Sequence, residues 1–107
     1  MAGFVQIVEF TTSRIDEMRA LQEKWRDEHP DMGPTRVMVT ADRDRPNTYL
    51  TLVEFDSYEE AMRNNDDPLT AQFAEQMQAL ADGPPTFRNL DVDMTELRLD
   101  RRTKAST

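Results

Sequence analysis

The sequence contains no cysteine and a single histidine, His29, among its 107 residues. Without thiols, the chain can form neither disulfide bonds nor a cysteine-based zinc site, and it has no thiolate ligand for a haem or an iron–sulfur cluster. One imidazole alone cannot complete a tetrahedral zinc shell. No nucleophile elbow of the G-x-S-x-G type is present either. We therefore expect neither a metal site nor a cofactor.

Long apolar runs are also missing, and basic residues are outnumbered. No apolar run reaches the roughly 18 residues that a membrane span needs, and the first residues lack the basic segment of a signal peptide. The chain carries 21 acidic and 13 basic residues, a net charge of −8, which repels the phosphate backbone of nucleic acids. We expect a cytoplasmic protein that binds neither membranes nor nucleic acids.

One domain is predicted to span residues 1–92, followed by a C-terminal tail at residues 93–107. This length suits a single domain, and the sequence shows no repeat and no internal linker that would divide it. The tail is short, charged and comparatively basic. As a solvated terminus, it is expected to be partly disordered.

The apolar periodicity within the domain predicts four strands and three helices. Alternating and β-branched segments predict strands, and apolar residues at three- and four-residue spacing predict helices. The strands are predicted at residues 4–10, 36–41, 48–55 and 86–92, and the helical stripes are Ile15–Met18–Leu21–Trp25, Tyr58–Ala61–Met62–Asn65 and Leu69–Phe73–Met77–Leu80. The order is β-α-β-β-α-α-β, that of a ferredoxin-like split β-α-β fold whose second helix is broken. We therefore expect an α+β domain with a four-stranded antiparallel sheet and helices on one face.

Polar side chains predict where the helices begin. Ser13 and Asp16 have the spacing of a capping box, and Ser57 and Glu60 have it as well. The aspartate–proline pair at 67–68 predicts the break, with the aspartate as N-cap and the proline in the first helical position.

The predicted strands are apolar on both faces, one purely aliphatic and the other mixed. The aliphatic set is Val5, Ile7, Val37, Val39, Leu50 and Leu52, and the mixed set is Phe4, Gln6, Val8, Met38, Thr40, Tyr49, Thr51 and Val53. Helices can cover only one face, and an exposed apolar face of this size is unusual for a monomer. The sequence predicts a two-fold homodimer in which two sheets close into one barrel. Spacing alone does not decide which face lies under the helices.

Three segments carry a resemblance to a known family. They are residues 4–10 (FVQIVEF), residues 49–62 (YLTLVEFDSYEEAM) and residues 67–73 (DPLTAQF). Together with the element order, they resemble the dimeric α/β-barrel superfamily, and within it the antibiotic-biosynthesis-monooxygenase-like proteins. The resemblance covers about residues 3–92, and its motifs are mostly structural.

This resemblance implies a dimeric α/β barrel and a choice of activities. Members of the superfamily include cofactor-free monooxygenases of polyphenols, haem-degrading enzymes, small isomerases and proteins without known activity. The haem degraders use a helix histidine as iron ligand, whereas the corresponding residues 63–66 here are RNND. The cofactor-free oxygenases use asparagine, tryptophan, tyrosine and arginine around a phenolic substrate, which favours that branch for this chain.

The candidate substrate-binding residues are Gln6, Trp25, Tyr49 and Asn65. Gln6 is either a satisfied polar residue of the sheet or a pocket donor. Trp25 is either part of the core or a pocket wall, and Asn65 is either a helix C-cap or a pocket amide on the inner face of its helix. His29 is expected to cap the first helix, where the helix dipole favours its imidazolium.

Two functions follow from these residues. The first is a small-molecule-binding homodimer that acts as a cofactor-independent monooxygenase of aromatic substrates, orienting a phenolic ring and stabilising its anion while it reacts with O2. The alternative is a non-catalytic metabolite-binding or structural protein. The sequence leaves open whether the protein is an enzyme, because one fold hosts several activities.

Overall fold

A computed structural model describes residues 3–98 and shows seven elements in the predicted order. They are β1 (Phe4–Thr11), α1 (Ile15–Glu28), β2 (Arg36–Ala41), β3 (Thr48–Phe55), α2 (Tyr58–Asp66), α3 (Pro68–Ala79) and β4 (Thr86–Asp91). The bounds of β2 and β3 match the prediction, and those of β1 and β4 each differ by one residue at one end. Most of the predicted tail lies outside the described residues.

The four strands form one antiparallel sheet in the order β2-β3-β1-β4. The central strand β1 pairs with β3 on one side and with β4 on the other. Phe4 lies opposite Phe55 of β3, and on the β4 side Gln6 lies opposite Asn89. The α+β ferredoxin-like fold with a broken second helix is confirmed.

The helices form one layer on a single face of the sheet. Helix α2 packs on that face through Ala61, which forms a buried cluster with Phe4 and Phe55. Trp25 of α1 contacts Phe73 of α3 with ring centroids 5.1 Å apart, and α3 contacts α2. Within residues 3–98, none of these helices is long and apolar enough to cross a lipid bilayer.

Strand pairing determines which side chains share each face. Residues directly opposite one another in the ladder point to the same side. The helix-facing face therefore carries Phe4, Gln6, Val8, Phe10, Val37, Val39, Ala41, Tyr49, Thr51, Val53, Phe55, Phe87, Asn89 and Asp91. On β1 and β3, the mixed set is therefore the one that faces the helices. The spacing in the sequence had left this choice between the two faces open.

The opposite face, which we call the open face, has no helix over it among the described residues. Its apolar centre consists of Val5, Ile7, Met38, Leu50, Leu52 and Leu90. Cross-strand ion pairs flank this centre: Arg36 to Glu54 at 3.5 Å near one end, and Arg88 to Glu9 at 3.3 Å towards the other.

One assignment of the predicted faces was wrong. Val37 and Val39 were grouped with the aliphatic set, and Met38 and Thr40 with the mixed set. In the structure, Val37 lies opposite Val53 and Met38 lies opposite Leu52, so β2 has the reverse phase. The phase of this strand is set by its pairing with β3, and its own composition alternates too weakly to reveal it.

The start of α1 also differs from the predicted capping box. Ser13 and Asp16 make no cap bond, and Arg14 occupies the N-cap position. The hydroxyl of the fully buried Thr12 accepts from the Arg14 N–H at 2.9 Å and donates to the Leu80 carbonyl at 2.7 Å. No side chain therefore caps α1, and Thr12 instead supports the turn before the helix and joins the end of β1 to the end of α3.

The other two predicted helix starts are confirmed. The Ser57 hydroxyl accepts from the Glu60 N–H at 3.1 Å, and the Asp67 carboxylate accepts from the Leu69 N–H at 2.9 Å. Pro68 occupies the first helical position, where its missing N–H costs nothing.

We expect Ser57→Ala to destabilise the protein by about 1 kcal/mol, because it removes an N-cap acceptor. Ser13→Ala is the matched control, since the Ser13 hydroxyl caps no helix, and it should change the free energy of unfolding much less. Urea unfolding at one protein concentration measures both. Equal losses in the two variants would contradict this assignment of the caps.

The β2–β3 hairpin is held by the carboxylate of Asp42. It accepts from the Asp44 N–H at 2.9 Å and from the Arg45 guanidinium at 2.8 Å. These bonds hold the pKa of Asp42 below its ordinary value, and the bond from the Asp44 N–H has the largest effect. Asn47 ends the turn in the left-handed region with φ of 57°, which asparagine tolerates.

Asp42→Asn should destabilise the protein near neutral pH, because it removes the charge that Arg45 pairs with. A lowered folded-state pKa contributes stability above the unfolded value of about 4, and the contribution is lost as the pH falls through the folded value. The urea midpoints of wild type and variant should therefore converge below about pH 4. Asp44→Asn in the same loop is the control, and a pH-independent gap would contradict the charge effect.

Candidate functional site

The helix-facing face is filled at its two ends. At one end, Phe4 and Phe55 are 2% and 4% exposed and pack with Ala61. At the other end, the rings of Phe10 and Tyr49 stack with centroids 5.7 Å apart. These aromatic clusters close both ends of the face and leave its middle between them.

The middle of this face is only partly covered. Gln6, Val8 and Thr51 are half-buried although the helix layer lies on their side of the sheet. On the edge strand, Phe87 is 55% exposed and lies opposite Val8, and Asn89 lies opposite Gln6. We call the region formed by these five residues the sheet cleft. It combines apolar walls with a few polar groups, as small-molecule sites do.

A pair of amides forms the polar part of the sheet cleft. The Gln6 Nε2 donates to the Asn89 Oδ1 at 3.0 Å. A side-chain amide has two N–H donors and one carbonyl acceptor. The pair therefore retains further donors and the Gln6 oxygen for a ligand, and the mutual bond, which is exposed to solvent, joins the two side chains.

Asn89 was missed by the sequence prediction. It lies in the predicted last strand, but only the pairing of that strand with β1 brings it opposite Gln6. The available signal was the alternation of Phe87, Asn89 and Asp91, which places an aromatic ring, an amide and a carboxylate on one side of a strand.

Acidic groups are scarce on the helix-facing face. Among its strand residues, Asp91 is the only carboxylate, because Glu9 and Glu54 point to the open face. Residues two apart in a strand lie about 7 Å apart on the same side, so Asp91 neighbours Asn89. The carboxylates whose pKa is lowered, Glu17 and Asp42, lie in surface ion pairs away from this face.

The structure brings together only some of the four predicted site residues. Gln6 and Tyr49 share the helix-facing face, Gln6 within the sheet cleft and Tyr49 in the aromatic cluster at one end. Trp25 lies elsewhere, between α1 and α3, where its ring contacts those of Phe73 and His29. The four residues therefore do not line one pocket.

The placement predicted for Asn65 was wrong. Its side chain is exposed, whereas the neighbouring Asn64 is half-buried and its Oδ1 lies 3.4 Å from the Thr70 hydroxyl. The break at Asp67 folds α3 back over the Asn64 side of the last turn and leaves the Asn65 side uncovered. Asn65 is not the C-cap either, since Asp67 occupies that position.

His29 ends α1, and its predicted capping role is confirmed. Its backbone N–H bonds the carbonyls of Trp25 and Arg26 at 3.0 and 3.3 Å. Its ring Nδ1 lies 3.0 Å from the same Trp25 oxygen. Within residues 3–98, no group of three or more histidine, aspartate or glutamate side chains is arranged to hold a metal ion.

Comparison with known proteins finds similarity in structure alone. No family model matches the sequence, and no curated protein does. Among solved structures, SnoaB, a cofactor-independent oxygenase from Streptomyces nogalater, superposes with a TM-score of 0.72 at 15% identity, covering 89% of this chain and 97% of that chain.

Two further structures show the same likeness. A conserved protein from Methanosarcina mazei has a TM-score of 0.71 at 11% identity, covering 85% of this chain and 93% of its own. A candidate antibiotic biosynthesis monooxygenase from Caulobacter crescentus has a TM-score of 0.68 at 13% identity, covering 87% and 92%. At these identities the likeness concerns the fold. The chain therefore has the ferredoxin-like fold of the antibiotic-biosynthesis-monooxygenase-like proteins.

Proposed function

We propose that the protein binds a small phenolic molecule in the sheet cleft and oxidises it with O2 as a cofactor-independent monooxygenase. The observation that carries this proposal is the Gln6–Asn89 amide pair, joined by its 3.0 Å bond in the partly covered middle of the helix-facing face. Oriented amides beside an aromatic side chain suit a flat ring that carries a hydroxyl group.

The amide pair would act on the anion of such a substrate. Amide N–H donors that already point at the phenolic oxygen stabilise the negative charge that develops when its proton leaves, without reorganisation during the reaction. The phenolate supplies the electrons to O2; one oxygen atom stays in the product and the other leaves as water. The apolar walls of Val8 and Phe87 orient the ring.

This reaction needs a group that takes the phenolic proton, and we assign Asp91 to that step. It is the carboxylate on the helix-facing face of the strands, and it follows Asn89 on the same side of β4. A carboxylate within reach of the hydroxyl can act as general base, directly or through one water molecule.

The structural comparison supports this proposal. SnoaB is a cofactor-independent oxygenase, and one of its structures is that of an asparagine-to-alanine variant. This chain has two asparagines with side chains turned towards other groups of the fold, Asn89 in the sheet cleft and Asn64 at the end of α2. The other predicted site residues, Trp25, Tyr49 and Asn65, lie outside the sheet cleft.

The homodimer predicted from the sequence belongs to the same proposal. The open face has an apolar centre with Met38 38% exposed, and ion pairs such as Arg36–Glu54 flank that centre. A second copy related by a two-fold axis would cover this centre with an identical one. The helix-facing side, with its cleft, stays inside each protomer.

The alternative is a protein that binds the same class of molecule without reacting. It is favoured by the lack of acidic and basic groups among the five residues of the sheet cleft, since Asp91, the candidate base, lies beside the cleft opposite Phe4. Binding and O2 consumption must therefore be measured separately.

The test is O2 consumption with a panel of hydroquinones, together with equilibrium binding of the same compounds. We expect Asn89→Ala to weaken binding and turnover about tenfold, the loss of one or two hydrogen bonds to a developing anion. Asn65→Ala is the matched control, because it removes the same amide from an exposed position. Asp91→Asn should lower turnover more than binding.

Each outcome has a separate meaning. Binding without O2 consumption would favour the non-catalytic alternative. Equal effects of Asn89→Ala and Asn65→Ala, or no hydroquinone binding at all, would contradict the sheet cleft as the site.

The dimer is tested by two neighbouring residues of β2. Met38 and Val39 are 38% and 41% exposed, and they point to opposite faces of the sheet. We expect Met38→Glu to reduce the light-scattering mass at micromolar protein to that of a monomer, because it places an unpaired charge in the covered centre. Val39→Glu should leave the dimer intact. A monomeric wild type would contradict the homodimer.

A further inference from the structure

A groove lies between α1 and α3, on the helices and apart from the sheet. Its volume is about 130 Å³, and every residue that lines it belongs to α1, to α3 or to the cap of α1. Trp25 and Phe73 are half-buried in its floor, and exposed glutamines of α3, Gln72 and Gln76, lie along its rim. None of the residues of the sheet cleft contributes to it.

The indole of Trp25 is held from three sides. Its ring lies 5.1 Å from that of Phe73 and 4.8 Å from that of His29, measured between centroids. Behind it lies Gly33, with φ of 96°, where a Cβ atom would lie 3.4 Å from the indole Cζ3. These contacts fix the indole, so that the groove presents a preformed aromatic surface, and little rotamer freedom is lost when a ligand packs on it.

The histidine beside this surface has a defined tautomer. Its Nδ1 lies 3.0 Å from the Trp25 carbonyl oxygen. A carbonyl oxygen only accepts, so Nδ1 must carry the proton and donate. In the neutral ring, Nε2 is then unprotonated and is a hydrogen-bond acceptor. With His29 in its neutral form, the groove therefore combines an aromatic floor with an oriented acceptor. The charged side chains of Lys24 and Glu28 also line the groove.

We propose that this groove is a second binding site, which takes a single-ring aromatic molecule carrying an O–H or N–H donor. The ring packs on Trp25 and Phe73, and its donor bonds the Nε2 of His29. A cavity of about 150 Å³ with apolar walls holds benzene, so the groove matches one ring and is too small for a fused polycyclic molecule. This site does not depend on the proposed oxygenase activity.

Trp25 provides the measurement, because it is the single tryptophan of the chain. Its fluorescence is followed while phenol is added, with excitation where indole absorbs and phenol does not. We expect a saturable change in emission. Anisole has the same ring without the donor, and we expect it to bind about tenfold more weakly, the value of one hydrogen bond.

Variants at two exposed positions of α3 locate the site. Gln76→Phe fills the groove and should abolish the saturable change, whereas Gln78→Phe adds the same ring at an exposed position that does not line the groove and should leave it unchanged. His29→Leu should remove the preference for phenol over anisole while leaving the binding of anisole in place. Leu69→Phe is a second filling variant in case Gln76→Phe fails to fold.

Three results would overturn the proposal. Quenching that rises linearly with the phenol concentration would show collisional quenching of Trp25 without a binding site. Saturable binding that survives both filling variants would place the phenol elsewhere. Saturable binding that is lost in Gln6→Ala and kept in Gln76→Phe would place it in the sheet cleft, which would count for the proposed function and against the groove.

Discussion

The pairing of β1 with both of its neighbours is the constraint on which the rest of the structure depends. Because β1 is central, its register with β3 and β4 decides which side chains of three strands share a face. A slip of one residue would exchange the two faces completely. The buried cluster of Phe4 with Phe55 and the bond of Gln6 to Asn89 both favour the observed register, one by apolar burial and the other by a polar contact.

This register gives the two faces different chemistry. The helix-facing side has aromatic clusters at its ends and an amide pair in its middle. The open side has aliphatic side chains between ion pairs, which is the composition of a surface that is covered by protein. The helices add a separate feature, since α1 and α3 meet through Trp25 and Phe73 and leave a groove that the sheet does not reach.

Much of the fold could be predicted because its signals are local. The strand bounds, the cap at Ser57 and the break before Pro68 each depend on a few neighbouring residues. The cap and the break are confirmed, and the strand bounds agree to within one residue. What sequence reasoning missed depends on distant partners. The predicted capping box is absent, and the buried Thr12 bonds the distant Leu80 carbonyl instead. The phase of β2 follows β3, and Asn89 meets Gln6 only through the pairing of β4 with β1. Asn65 is exposed because α3 returns on the other side of its helix.

The central position of β1 also has a consequence for synthesis. β1 is synthesised before β4, which ends at Asp91 and pairs with β1 from Phe4 to Glu9. Contacts between such distant residues form late, since the loop between them must close first. Until β4 emerges, the nascent chain carries a sheet with β1 as an unpaired edge, which is the kind of edge that pairs with other chains. β4 therefore covers the edge of β1 as well as completing the sheet.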